Sequence, residues 1–191
     1  MKRNVDGKSK QPKARLSREG WLAAALDALA DQGPRVLTID KLCNRLGVSR
    51  GSFYWHFENR NDFIQSLVFF WDARLTGELA QLSESFEGGP LDKLNFIAEM
   101  LTSTNAGRYD VHIRAWASRN ELAAKAVRKS DKTRYSYVRS LFQELGFKGE
   151  ELEMRTRTFV VFYSLERAIT VKETSKQRST RLALRHRLLT S

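Results

Sequence analysis

The segment 38–57 constrains the fold most strongly, because it contains two short apolar repeats separated by a single glycine. Ile39, Leu42 and Leu46 recur at spacings of three and four residues, which places them on one face of a helix. Gly47 follows at once, and glycine readily ends a helix in the left-handed conformation. The pattern predicts two short helices joined by a tight turn, which is the geometry of a helix-turn-helix.

The second of these helices is expected from Arg50 to Phe57, with Ser49 as its N-cap. We expect six apolar residues of the motif to face inward, namely Ile39, Leu42, Leu46, Val48, Phe53 and Phe57. The remaining face of the second helix consists of Arg50, Gly51, Ser52, Tyr54, Trp55 and His56. This face has no acidic residue, which would repel phosphates, so its composition is typical of a helix that docks on nucleic acid.

Three residues of that face allow a second interpretation. Gly51 is a poor helix former that either lets a sugar-phosphate strand approach or is simply tolerated in a frayed first turn. Trp55 has core packing as its alternative role, although Phe53 and Phe57 already fill the apolar face. His56 has the alternative role of a helix C-cap.

The rest of the sequence also predicts helices, because alternating strand patterns are missing and there are only three prolines. We expect an all-α fold with about nine helices. Ser17, Thr38 and Asn59 are further N-cap candidates, and the run Gly88-Gly89-Pro90 is a clear break. The later predicted helices lie at about 91–104, 109–118, 121–145, 150–172 and 176–189.

The charge distribution points to a polyanionic partner. The formal net charge is +11, and residues 1–15 contain six cations and one acid. This basic segment is either a solvated flexible tail or an arm that lies along phosphates or in a minor groove.

Other classes of function have little support. Cys43 is the single cysteine, and the three histidines, His56, His112 and His186, lie far apart, so neither a disulfide nor a metal site is predicted. We find no phosphate-binding loop or nucleophile motif, and we expect no cofactor and no catalysis. No apolar run approaches the roughly 18 residues of a membrane span, and a cytoplasmic protein is expected.

Residues 42–63, with the sequence LCNRLGVSRGSFYWHFENRNDF, closely resemble the signature of the TetR family of transcriptional regulators. The similarity covers about residues 16–71. It implies a helix-turn-helix DNA-binding domain at 16–60 and an effector-binding and dimerisation domain at 61–191, after the basic tail at 1–15. It also implies that Thr38, Ser49, Tyr54 and Arg60 hold backbone phosphates and that Arg50, Ser52, Trp55 and His56 approach base edges, with Gly51 between them.

The resemblance places an effector pocket among the later helices. Candidate lining residues interleave aromatic and polar groups and are Phe96, Met100, Tyr109, His112, Trp116, Phe159 and Tyr163. The alternative for each of them is an ordinary place in the core.

The last two helices are expected to join two copies of the chain into a homodimer. One apolar face of the helix at 150–172 is assigned to the partner and contains Leu152, Thr156, Phe159, Val160, Tyr163 and Arg167. The opposite face is assigned to the chain's own core and contains Met154, Val161, Phe162, Leu165 and Ile169. The final helix would add a leucine stripe that includes Leu182 and Leu188. The alternative is that both stripes pack within one chain.

Together these features predict a regulator that binds a palindromic operator in double-stranded DNA. It would act as a repressor that a small-molecule effector releases. The alternative is an architectural protein that binds DNA without sequence preference and has no effector.

Overall fold

The computed structural model describes residues 16–169 and 174–190, and the basic segment 1–15 lies outside them. The described part of the chain is helical and contains no strand, which confirms the all-α prediction. The α-helices are α1 Arg18–Gln32, α2 Ile39–Leu46, α3 Arg50–His56, α4 Arg60–Asp72, α5 Glu78–Ser85, α6 Pro90–Ser103, α7 Gly107–Ala117, α8 Glu121–Glu144, α9 Gly149–Leu165 and α10 Ser175–Thr190.

Helices α4 and α5 form one long helix, because the segment between them, Ala73–Gly77, is a π-helical turn and not a loop. Counted in this way, the described residues contain nine helices, in agreement with the predicted number. A π-helical turn inside a helix is rare and is frequently found at functional sites.

Local capping signals determine where the N-terminal helices begin and end. The side chains of Ser17, Thr38, Ser49 and Asn59 each accept a hydrogen bond from a backbone N–H in the first turn of the helix that follows. Gly47 ends α2 with φ 63° and ψ 36°, the left-handed conformation expected for it. These boundaries therefore follow directly from short-range sequence.

The core of the N-terminal helices is aromatic. Trp21 of α1 packs edge-on against Phe53 of α3, with ring centroids 5.7 Å apart, and Phe53 contacts Phe63 of α4 at 5.5 Å. The same cluster continues to Ile113 and Trp116 of α7. The helix-turn-helix therefore shares its core with the later helices.

The residues expected to face inward in the helix-turn-helix divide into two groups. Leu42, Phe53 and Phe57 are almost completely buried. Ile39, Leu46 and Val48 are only half-buried, although they pack against the same core.

A second core lies among α6, α8, α9 and α10. Its buried residues are Leu94, Ile97, Ala98, Val138, Leu141, Phe142, Leu152, Phe159, Tyr163 and Leu189. Since α8 also packs along α4, it contacts helices from both cores.

The packing of α9 reverses the predicted assignment of its two faces. The face assigned to a partner is buried in the chain's own core, with Phe159 only 1% exposed and Tyr163 5% exposed. Leu152 and Thr156 are buried there as well, and Val160 packs against the same core. The face assigned to the core instead points outward, with the exception of Phe162, which packs against the same core as predicted. Its exposed residues are Met154, Val161, Leu165 and Ile169.

The reason for this reversal is that α9 is apolar on both sides. Periodicity then identifies two faces but not the neighbour of each. The end of the helix also differs from expectation, because α9 stops at Leu165 and the turn Glu166–Ala168 is a 3-10 helix. In α10, Leu188 is exposed as predicted for an interface residue, whereas Leu182 is half-buried.

Candidate nucleic-acid interface

The outward face of α3 presents large aromatic side chains to solvent. Trp55 is 78% exposed and Tyr54 is 56% exposed, which is unusual for residues of this size. The ring of Tyr54 stands edge-on to the buried ring of Phe53, with centroids 5.3 Å apart. The exposed ring of Tyr54 is thus supported from below by a buried core residue.

The N-terminal ends of α2, α3 and α4 lie close to this face in the sequence. The N-cap residues Thr38 and Ser49 are exposed, and each hydroxyl oxygen accepts a backbone hydrogen bond while its own hydrogen can be donated to an anion. Arg60, the first residue of α4, is also exposed. Exposed helix N-termini with hydroxyl caps are favourable positions for phosphate groups.

Arg50 does not extend freely from α3, in contrast to its expected approach to base edges. Its Nε and Nη2 atoms donate to the two carboxylate oxygens of Asp40 in α2, both at 2.6 Å. The hydrogen bonds with Asp40, together with its negative charge, raise the pKa of Arg50 above its usual value. In this conformation the guanidinium is already neutralised by a carboxylate of the neighbouring helix.

His56 and Ser52 both make hydrogen-bonding contacts at or just before α1, which the sequence did not indicate. The Nε2 atom of His56 lies 2.8 Å from the carbonyl oxygen of Leu16, and the ring is half-buried. Trp21 donates from Nε1 to the hydroxyl of Ser52 at 3.4 Å. These contacts join residues 31 and 40 positions apart, so local sequence contained no sign of them. The open part of the face is narrower than predicted and centres on Trp55 and Tyr54.

Gly51 is exposed, and internal packing does not require a glycine at this position. A Cβ atom there would meet the hydroxyl of Ser49 at 3.5 Å, an ordinary van der Waals distance. The missing side chain of Gly51 therefore leaves space on the solvent-exposed side of α3, and not on the side that packs against the core.

The predicted effector-pocket residues are not brought together. Tyr109 donates its hydroxyl to Asp27 of α1 at 2.7 Å, and Trp116 lies in the N-terminal core. Phe96 stacks on Phe86, with centroids 4.9 Å apart. Met100 and His112 are half-buried but do not line the cavity described next. The sequence did not indicate that α7 packs against α1, and this packing places Tyr109 and Trp116 against the N-terminal core.

A cavity of about 50 Å³ lies elsewhere, between the π-helical turn and helices α5 to α9. Of the predicted pocket residues, Phe159 and Tyr163 line it. Burial raises the pKa of Tyr163, against the opposing effect of Arg185, which donates to its hydroxyl at 2.6 Å.

The cavity wall also contains an ion pair that the sequence analysis missed. Arg134 of α8 donates to Asp110 of α7 at 2.6 Å, and both side chains are largely buried. The two residues are 24 positions apart on different helices, so no local pattern pairs them.

Within residues 16–169 and 174–190 there is no group of three His, Cys, Asp or Glu side chains that could hold a metal ion. None of the described helices combines the length and the apolar character needed to cross a membrane.

Sequence comparisons agree on the N-terminal region. The family described as "Bacterial regulatory proteins, tetR family" matches residues 22–67. The tetracycline repressor protein class C of Escherichia coli is 40% identical over 62 residues, which are 32% of this chain and 27% of that protein. The transcriptional regulator AcrR of Shigella flexneri is 30% identical over 99 residues, 51% of this chain and 45% of that protein. The chain therefore matches between about a quarter and a half of the length of these relatives.

Comparison with solved structures extends the likeness to the whole fold. The TetR-family transcriptional regulator PfmR of Thermus thermophilus superposes with a TM-score of 0.69 at 12% identity, over 89% of this chain and 96% of that one. At this identity the likeness concerns the fold alone. Residues 22–67 thus match the tetR family of bacterial regulatory proteins, and the chain as a whole has an all-α fold similar to that of the TetR-family regulator PfmR.

Proposed function

We propose that the protein is a sequence-specific, DNA-binding transcriptional regulator, and that it is a repressor released by a small-molecule effector. The observation that carries the proposal is the exposed, acid-free face of α3, where Trp55 and Tyr54 project beside helix N-termini capped by hydroxyl residues. The tetracycline repressor protein class C is similar to this region of the chain, and its name supports repression over activation. The mechanism is equilibrium binding and contains no catalytic step.

In this proposal the two kinds of DNA contact come from different residues. Trp55 and Ser52 approach base edges, while Thr38, Ser49, Tyr54 and Arg60 hold phosphates on either side. Residues 16–60 form the DNA-binding head, and residues 61–191 form the regulatory body.

The proposal includes a homodimer, since one helix-turn-helix reads only a short half-site and a palindrome needs two. The support is a set of exposed apolar residues on α9, on α10 and just after the 3-10 turn that follows α9, namely Met154, Val161, Leu165, Ile169, Leu184 and Leu188. A groove of about 810 Å³ runs between these two helices. The groove lining mixes apolar side chains with charged ones such as Arg157, Arg167 and Arg181, and exposed apolar side chains clustered in this way are typical of an interface between copies of a chain.

Effector control requires a connection between the cavity and the head, and α7 makes one. Tyr109 and Arg108 of α7 hydrogen-bond to Asp27 of α1, while the next residue, Asp110, lies in the cavity wall. A ligand that prefers one position of α7 would therefore shift the population of head positions. Coupling free energies of this kind are about 1–3 kcal/mol.

The test is a selection of DNA from random oligonucleotides with the full-length chain and with Trp55→Ala. We expect the parent protein to enrich a palindrome and the variant to discriminate less between that palindrome and random DNA, by about 1–3 kcal/mol for a lost base contact. Phe69→Ala is the matched control, because Phe69 is an aromatic side chain 65% exposed on α4.

Two results would contradict the proposal. Enrichment of no sequence by the parent protein would favour the architectural alternative. Equal discrimination by Trp55→Ala and Phe69→Ala would show that the recognition face is wrongly drawn.

A further inference from the structure

The part of α3 that is open to solvent has an apolar character. Trp55 is 78% exposed, and its indole ring is the largest exposed side chain of this helix. Gly51 precedes Trp55 by four residues, so the two positions lie one above the other on the same side of α3. An added Cβ atom at Gly51 would meet only the hydroxyl of Ser49 within 4 Å. The indole ring therefore borders an open space along the helix.

The cation of α3 is engaged by the neighbouring helix α2. Arg50 is the one residue of α3 with a permanent positive charge, and two hydrogen bonds of 2.6 Å join its guanidinium to Asp40. A guanidinium recognises guanine by donating two hydrogen bonds to O6 and N7. To do so, Arg50 would have to leave the Asp40 carboxylate, which would then stand without its cation beside the DNA phosphates. Recognition of guanine by this helix is therefore disfavoured.

The other polar side chains of α3 do not distinguish one base from another. His56 is half-buried, with Nε2 2.8 Å from the carbonyl oxygen of Leu16. The hydroxyl of Ser52 accepts a hydrogen bond from Trp21 at 3.4 Å and has one hydrogen left to donate. Guanine and thymine both present an acceptor to such a donor in the major groove. The discriminating group of the open surface is therefore the indole ring.

We propose that α3 recognises its operator through the 5-methyl group of a thymine, which packs against Trp55 in the space beside Gly51, and that Arg50 binds no guanine. Thymine is the one base of ordinary DNA with an apolar group in the major groove, and apolar side chains recognise it by contact. The contact removes apolar surface of both partners from water, which is favourable. This inference rests on the proposed function, because it names the base and the chemical group that the DNA-binding face reads.

The expected size of the effect follows from the burial of one methyl group. Uracil is thymine without the 5-methyl group and has the same hydrogen-bonding groups, so its substitution isolates the contact. Losing one buried carbon of this kind lowers affinity about fourfold. A palindrome bound by two copies contains two such thymines, and removing both methyl groups should lower affinity roughly 15-fold if the two effects add.

The experiment uses the full-length protein and the palindrome that it enriches from random oligonucleotides. Each thymine of that duplex is replaced in turn by uracil, and affinity is measured by fluorescence anisotropy. We expect uracil to weaken binding about fourfold at one thymine of each half-site. Trp55→Ala should keep its fold, because the side chain is largely exposed, and should bind the thymine and uracil duplexes equally. Phe69→Ala, which removes an exposed aromatic side chain of α4, should show the full loss.

A methyl group on a different base gives an independent test. The identified thymine is replaced by cytosine, with guanine opposite, and then by 5-methylcytosine. The methyl group of 5-methylcytosine occupies the same place in the major groove as that of thymine. We therefore expect 5-methylcytosine to bind about fourfold more tightly than cytosine with the parent protein, and no more tightly with Trp55→Ala.

Three results would overturn the inference. The first is an enriched palindrome that tolerates uracil at every thymine, and the second is a uracil effect of equal size in the parent and in Trp55→Ala. The third is a loss of affinity with 7-deazaguanine, which lacks the N7 acceptor, that disappears in Arg50→Ala, because Arg50 would then read guanine. Enrichment of no palindrome would contradict the proposed function as well, whereas these three results contradict the inference alone.

Discussion

At the scale of single residues, the face of α3 is determined as much by its neighbours as by its own sequence. Arg50 is held by Asp40 from α2, and His56 is turned toward the start of α1. The exposure of Trp55 and Tyr54 agrees with the face drawn from the sequence, but the partners of Arg50 and His56 lie outside α3. A carboxylate beside the face is unfavourable for phosphate binding, so in the proposed function Asp40 restrains DNA affinity.

Replacing Asp40 by Asn is expected to increase affinity for all DNA sequences. The change removes a negative charge and releases the Arg50 guanidinium to bind a phosphate, so the plot of log affinity against log salt should steepen by about one unit. The measurement is fluorescence anisotropy with palindromic and random duplexes over a range of salt concentrations.

Glu121→Gln is the matched control, since Glu121 pairs with Arg128 at 2.6 Å in an exposed ion pair of α8. Both variants should keep nearly the parent's melting temperature, because exposed ion pairs contribute about 0–1 kcal/mol. An unchanged salt dependence in Asp40→Asn would mean that Arg50 does not reach the DNA backbone.

At the scale of helices, two glycines illustrate opposite conformational requirements. Gly47 ends α2 with a positive φ of 63°, which side chains adopt at a cost of roughly 1–2 kcal/mol. Gly77 lies inside the long α4–α5 helix with φ −65° and has nothing within 4 Å of an added Cβ.

We therefore expect Gly47→Ala to lower the free energy of unfolding by about 1–2 kcal/mol. Gly77→Ala should raise it by about 0.4–1 kcal/mol, because alanine restricts the unfolded chain. Urea denaturation followed by circular dichroism measures both. Destabilisation by Gly77→Ala would mean that the π-helical turn requires a glycine there.

At the scale of the whole molecule, the reversed faces of α9 change which residues are expected to join two copies. Val161 is 49% exposed on the outward face, whereas Phe159 is buried against α8. A charge at Phe159 would therefore disrupt the fold and would report on the monomer's core instead of an interface.

Val161→Asp is expected to give folded monomers with weak binding to the palindrome. A buried charge at the interface opposes association, and a single head contacts only a half-site. Sedimentation at micromolar concentration and circular dichroism are the two measurements.

Leu82→Asp is a closely matched control, because Leu82 of α5 is also 49% exposed but does not line the groove between α9 and α10. It should sediment as the parent does. If the parent protein itself sediments as a monomer, both the proposed homodimer and the expected palindromic site are contradicted.

The sequence by itself determined the elements whose signals lie within a few residues. Caps at Ser17, Thr38, Ser49 and Asn59 and the stop at Gly47 are local hydrogen-bonding and backbone effects, and the structure has them where they were predicted. The exposed aromatics of α3 followed as well, since the face left over from an apolar stripe needs no knowledge of distant contacts.

Only the tertiary structure decided what depends on the position of one helix against another. The buried face of α9, the packing of Tyr109 and Trp116 against the N-terminal helices, and the Asp110–Arg134 pair in the cavity all depend on such contacts. Hydrophobic burial is non-directional, so a helix with two apolar faces is compatible with two packings. The choice between them is made by the shape and volume of the neighbouring helices, which no short stretch of sequence contains.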